Sequence, residues 1–133
     1  MKLFALSAAA LIAATGAFAG DAGAGEGDFR KCKSCHTLAN GDDVIIKGGK
    51  TGPNLFGVIG RQAGTVEGFK YGADLVAAGE AGLIWDEELL ATYMADPKKF
   101  LSEQLGSAAK SKMTFKMKGG EDVAAYLASL SAE

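Results

Sequence analysis

Apolar and polar positions follow a helical period in three places along this chain. Around Ala24 to Cys35, Phe29 is the apolar anchor of a short helix that runs into the stretch CKSCH, Cys32 to His36. From Asp86 to Ala95, Asp86 suits an N-cap and Glu87 and Glu88 fall in the first turn, where the helix dipole favours acids. Leu89, Leu90, Tyr93 and Met94 then share one face, and Pro97 is expected to stop the helix. From Glu121 to Leu130, the residues Val123, Ala124, Tyr126, Leu127 and Leu130 make an amphipathic helix, opened by Gly119-Gly120 and two acids. Between the first two helices lies Asn40 to Gly68, rich in Gly and Lys, with no sustained strand alternation beyond Val44-Ile45-Ile46. No repeat or linker divides the sequence. Short helices joined by long loops give a thin core, and such loops are uncommon in compact domains unless something else organises them. An internal component that is not polypeptide is implied.

The first residues change the picture of where the chain resides. Lys2 is followed by an apolar run, Leu3 to Ala14, and by Ala17-Phe18-Ala19, the small-x-small pattern of a secretory leader. The run is shorter than the roughly 20 apolar residues that a membrane span needs. Residues 1–19 are therefore expected to be a cleaved signal peptide and residues 20–133 a single exported domain, periplasmic in a bacterium. The net charge of −2 argues against nucleic acid as a partner. Its distribution matters more. Six acids and no base lie between Tyr71 and Pro97, whereas six lysines and one acid lie between Lys98 and Lys118.

CKSCH holds both cysteines of the chain and its only histidine. A structural zinc site takes four ligands, and no second Cys or His exists to complete one. A redox CxxC pair leaves the histidine without a role and normally follows a strand, whereas a helix is expected here. Covalent haem attachment uses all three residues: Cys32 and Cys35 as thioethers and His36 as the proximal iron ligand. One haem c per chain would also supply the apolar surface that the thin core lacks. With no second histidine, the other axial ligand falls to a methionine. Met94 sits mid-helix and reads as core. Met113 and Met117, in SKMTFKMKGG, both lie where a loop can carry sulfur over the ring, and Phe115 beside Met113 can shield the haem edge. A methionine there describes an electron carrier, not an enzyme. An open distal site would instead describe a haem enzyme or gas-binding sensor.

CKSCH, TGPNLFGVIGR (Thr51 to Arg61), GFKYG (Gly68 to Gly72), Trp85, ATYMADPKKF (Ala91 to Phe100), SKMTF (Ser111 to Phe115) and EDVAAYL occur in that order. Together they resemble the class I c-type cytochromes, and among them most the long-chain bacterial cytochromes c2. The resemblance spans residues 20–133 and implies an all-α fold, short helices and long loops wrapped around one covalent haem. It further implies that Met113 is the distal ligand and that the Pro53 carbonyl accepts the Nδ1 proton of His36. Arg61, Tyr71 and Trp85 would hold a haem propionate, and Tyr93 would stand near the methionine sulfur. Gly25 and Phe29 would cross Val123 and Tyr126. LSEQLGSAAKS reads as an insertion lengthening the methionine loop, and Ser111 stands where the family often has Thr. The implied function is a soluble, monomeric, one-electron shuttle. It would run from a cytochrome bc1 complex to a photosynthetic reaction centre or cytochrome oxidase. Lys31, Lys33, Lys98, Lys99, Lys110, Lys112, Lys116 and Lys118 would form the docking face.

Overall fold

A computed structural model describes residues 20–130; the expected leader, residues 1–19, lies outside the described residues. Helix α1 (Ala22–Asp28) contains three glycines and forms because it is capped and packed. Asp21 Oδ1 accepts from the Gly23 and Ala24 amides at 2.9 and 3.2 Å, satisfying donors that the first turn leaves free. The glycines let α1 lie directly on α5 (Glu121–Ser129): a Cβ on Gly25 would overlap the Asp122 carbonyl. Asp21 N–H also donates to Asp122 Oδ1 at 2.8 Å. Below this crossing, Phe29 and Val123 are fully buried and the Phe29 and Tyr126 rings sit 6.1 Å apart. The predicted contact between the ends of the domain is present.

After α1 the chain tightens into one 3-10 turn, Phe29–Lys31, and enters CKSCH. A hairpin follows, β1 (Leu38–Asn40) against β2 (Asp43–Ile46), antiparallel with a register shift between Leu38 and Ala39. Val44-Ile45-Ile46 thus does form a strand, paired locally within a mainly helical fold.

Two helices were not anticipated. Helix α2 (Ala73–Glu80) has a helix-weakening Gly79, yet a Cβ there would overlap the Ala63 carbonyl. Close approach to the 61–64 segment outweighs propensity. Helix α3 (Glu87–Ala95) starts as expected, with Asp86 Oδ1 accepting from Leu89 N at 2.7 Å. Pro97 stops it and also opens α4 (Pro97–Leu105) from its first position, where proline has no hydrogen bond to lose. Asp96 caps that helix through Lys99 N at 3.1 Å, and Gly106, left-handed at φ 70°, ends it. The stretch LSEQL is therefore the second half of α4, not part of a lengthened loop. Trp85, Tyr93 and Phe100 form an aromatic cluster with centroids 5.0–5.7 Å apart, joining α3 and α4 to the segment before them.

Because a side chain on Gly25 must push α1 off the Asp122 carbonyl, Gly25→Ala is expected to destabilise the haem-loaded protein by about 1–3 kcal/mol. Its guanidinium unfolding midpoint measures this; an unchanged midpoint would show that the crossing tolerates extra volume.

Candidate functional site

CKSCH continues the helical turn that Phe29 begins. The Phe29 carbonyl accepts from Cys32 N at 2.7 Å, and the Cys32 carbonyl from Cys35 N and His36 N at 3.1 and 2.9 Å. This winding puts residues 32, 35 and 36 on one face. Both cysteines are free thiols, Cys32 half-buried and Cys35 exposed. Burial first, then the charges of Asp28 and Cys35, push the Cys32 thiol up to about 11 against the pull of Lys31. A dithiol oxidoreductase needs the opposite shift. Among the described residues no group of three or more His, Cys, Asp or Glu side chains is placed to hold a metal ion.

The histidine is fixed from below. His36 Nδ1 donates to the Pro53 carbonyl at 2.8 Å, which leaves Nε2 with its lone pair outward. Burial lowers the pKa of the imidazole, and the Pro53 carbonyl opposes this only in part. The strap carrying Pro53 runs close under the motif: Gly49 N donates to Lys33 O at 2.8 Å and Gly52 N to Cys35 O at 2.7 Å. A Cβ on Gly52 would overlap the His36 ring. Thr37 Oγ1 donates to Gly49 O at 3.2 Å and accepts from Gly48 N at 3.1 Å. Asn54 holds the far end, its side chain paired with both backbone groups of Ala39 at 3.2 and 2.8 Å. Arg61 donates to the carbonyls of Asn54 and Phe56 at 3.2 and 3.3 Å.

Of Arg61, Tyr71 and Trp85, the first and last are joined directly. The backbones of Arg61 and Trp85 pair through Trp85 N and Arg61 O at 3.0 Å. Burial lowers the pKa of the Arg61 guanidinium, and the nearby Tyr71 opposes that shift. The Tyr71 hydroxyl accepts from Val66 N at 3.0 Å.

The three methionines of the described residues separate cleanly. Met94 and Met117 are buried in the core, and Met117 N donates to Met94 O at 2.7 Å. Met113 is only partly buried at the margin of that core. Its carbonyl accepts from Ser111 Oγ at 2.9 Å. Tyr93 is buried, which raises its phenol pKa, and the Ser111 hydroxyl beside it pulls the other way. The eight lysines expected at a docking face are all exposed. Two are engaged: Lys112 Nζ donates to Lys70 O at 3.2 Å, and Lys116 pairs with Asp96 at 3.4 Å.

No protein-family model matches the chain. It is 55% identical to cytochrome c2 of Rhodobacter capsulatus over 98% of this chain and 97% of the relative. It is 59% identical to cytochrome c-551 of Roseobacter denitrificans over 84% and 82% of the two chains. The solved structure of the Rhodobacter capsulatus cytochrome c2 superimposes with a TM-score of 0.80, covering 83% of this chain and 97% of that one at 57% identity. Ferric cytochrome c-550 from Paracoccus versutus gives 0.81 at 50% identity, covering 86% and 100%. The chain belongs to the cytochrome c2 family of class I c-type cytochromes.

The cofactor of a cytochrome c2 is a covalent haem c, and Cys32 and Cys35 stand at the attachment spacing. The site fits that group. It offers two cysteines outside any disulfide and a buried histidine whose inner nitrogen is already bonded, while Leu55, Leu75 and Met113 are only partly covered where they meet the core. This cytochrome is accordingly an electron carrier rather than an enzyme. Sequence reasoning passed over Gly52, Thr37 and Asn54, which position the histidine. The signal for Gly52 and Asn54 lay in TGPN (Thr51 to Asn54), where glycine, proline and a turn-forming amide follow one another; Thr37, directly after His36, carried none.

In this cytochrome, Gly52→Ala is expected to rotate the His36 ring away from the Pro53 carbonyl. The haem-loaded variant would then show shifted haem-methyl resonances in its ferric NMR spectrum. A wild-type pattern would mean that the strap yields instead.

Proposed function

We propose that this cytochrome is a soluble periplasmic one-electron shuttle with His36 and Met113 as axial ligands. Its leader, residues 1–19, would be removed to leave residues 20–133 as the mature domain. The observation that carries this reading is the partition of the methionines among the described residues: Met94 and Met117 are consumed by the core, and Met113 keeps part of its surface free in a segment without regular structure. When bound, the haem supplies a one-electron couple, and a thioether ligand raises its potential. The chain's own residues do the rest. Pro53 holds the inner His36 proton and so keeps the outer nitrogen available to the iron. Ser111 braces the Met113 backbone from the Tyr93 side. Arg61, Tyr71 and Trp85 would hold a propionate in a partly dry setting, where a positive guanidinium offsets its charge.

The donor would be a cytochrome bc1 complex and the acceptor a photosynthetic reaction centre or cytochrome oxidase. Docking would use Lys31 and Lys33 beside the cysteines, and Lys98, Lys99, Lys110, Lys112, Lys116 and Lys118 around the methionine segment. Their exposure supports electrostatic steering onto an acidic partner surface. Lys116, paired with Asp96, and Lys112, tied to Lys70, would contribute less than the others.

Met113→Ala is expected to abolish the weak long-wavelength band of sulfur bound to ferric iron and to let the reduced protein bind carbon monoxide at neutral pH. Met117→Ala should keep the band and lose about 2–4 kcal/mol of stability, as truncation in a packed core does. Carbon monoxide binding to the unaltered protein at neutral pH would instead support an enzyme or sensor with an open distal site. Lys99→Glu should slow reduction by bc1 complex roughly three- to tenfold at low salt and flatten its salt dependence. An unchanged bimolecular rate would remove Lys99 from the docking face.

A further inference from the structure

From Gly106 to Gly120 the chain forms neither helix nor strand, so the placement of Met113 depends on contacts made by its neighbours. On the C-terminal side the segment is anchored in the interior: Met117 is buried, and its amide bonds the Met94 carbonyl of α3 at 2.7 Å. On the N-terminal side, Ala109 is buried and its amide bonds Ser102 Oγ of α4 at 3.0 Å. One residue later the segment leaves α4 and is received by α2. Asp74 Oδ2 accepts from Lys110 N at 2.7 Å, across 36 residues of sequence. Two further contacts support the same junction: Lys112 Nζ reaches Lys70 O, and the Lys112 stem lies where a Cβ on Gly72 would meet it at 3.4 Å.

We infer that Asp74 is a positioning residue for Met113, a clasp from α2 that sets how readily the methionine segment lifts. The inference rests on Met113 as the distal ligand. Of the two flanks, the one held by Asp74 is solvent-exposed, and exposed hydrogen bonds with little apolar burial open at the least cost. Lys110 is three residues before Met113, so releasing its amide frees the ligand's own approach while the anchor at Met117 stays in place. The bond joins a carboxylate oxygen to a backbone amide in an exposed setting, where solvent screens the charge and the bond contributes about as much as a neutral one. Asp74 also lies in the first turn of α2, where its charge stabilises that helix, and the two roles are separable by substitution. Asparagine keeps an oxygen for Lys110 N and loses the charge; alanine loses both.

The test is the rate at which imidazole displaces the distal ligand of the ferric, haem-loaded protein, followed as loss of the long-wavelength sulfur-to-iron band. Asp74→Ala is expected to speed displacement about three- to tenfold, the loss of one such hydrogen bond. Asp74→Asn should stay within about twofold of the unaltered protein. Equal acceleration in both variants would assign the effect to the helix charge and overturn the clasp. So would a lowered denaturation midpoint in Asp74→Ala with displacement unchanged. If the unaltered protein lacks the band, the assignment of Met113 fails and this inference fails with it. If the band is present and Asp74→Ala leaves the rate alone, the ligand assignment stands and only the clasp is lost.

Discussion

The hydrogen bond from His36 Nδ1 to the Pro53 carbonyl is the constraint around which the proximal half of this cytochrome is built. It demands that a strap of backbone pass within contact of an imidazole ring. That demand accounts for Gly52, which touches the ring, and for Gly48 and Gly49, which touch the backbone of the motif. It also accounts for Asn54, whose side chain pairs with β1 as another strand would. Arg61 then ties the carbonyl of Asn54 to the segment that pairs with Trp85. A chain of backbone and side-chain hydrogen bonds thus runs from His36 to the aromatic cluster of α3 and α4.

The segment that carries Met113 follows a different rule. It has no regular secondary structure, so its position is set by where neighbouring residues are captured rather than by a helix or strand. Burial of Met117 and Ala109 fixes both ends of the span, and polar contacts between those ends define the rest. The His36 side is held by close backbone packing and the Met113 segment by individual side-chain contacts.

Much of this was legible in the sequence. CKSCH carried its chemistry openly because it spends every cysteine and histidine in five residues. The capped helix after Asp86 and the amphipathic run after Glu121 were visible as period and capping. What escaped was tertiary in origin. Helix α2 has an undistinguished pattern, and its Gly79 is explained only by the carbonyl of Ala63 opposite it. Pro97 reads equally as a stop or as a first helical residue, and Asp96 decides by capping the helix that follows. Once LSEQL is recognised as helix, the span to Met113 is shorter than its sequence suggested. The resemblance already favoured Met113 over Met117, and the burial of Met117, which spacing alone does not give, supports the same choice.

The crossing of α1 and α5 also bears on the haem-attachment stretch. The helix leading into both attachment cysteines finds its partner only in the last helix of the domain, about a hundred residues later. Bringing such distant positions together closes nearly the whole domain into one loop, at an entropic cost that grows only slowly with length. The attachment cysteines therefore follow a helix whose packing surface is supplied by α5: Gly25 lies against the Asp122 carbonyl and Phe29 against Tyr126. The glycine-faced contact thus makes the footing of the haem-attachment stretch depend on the presence of the last helix.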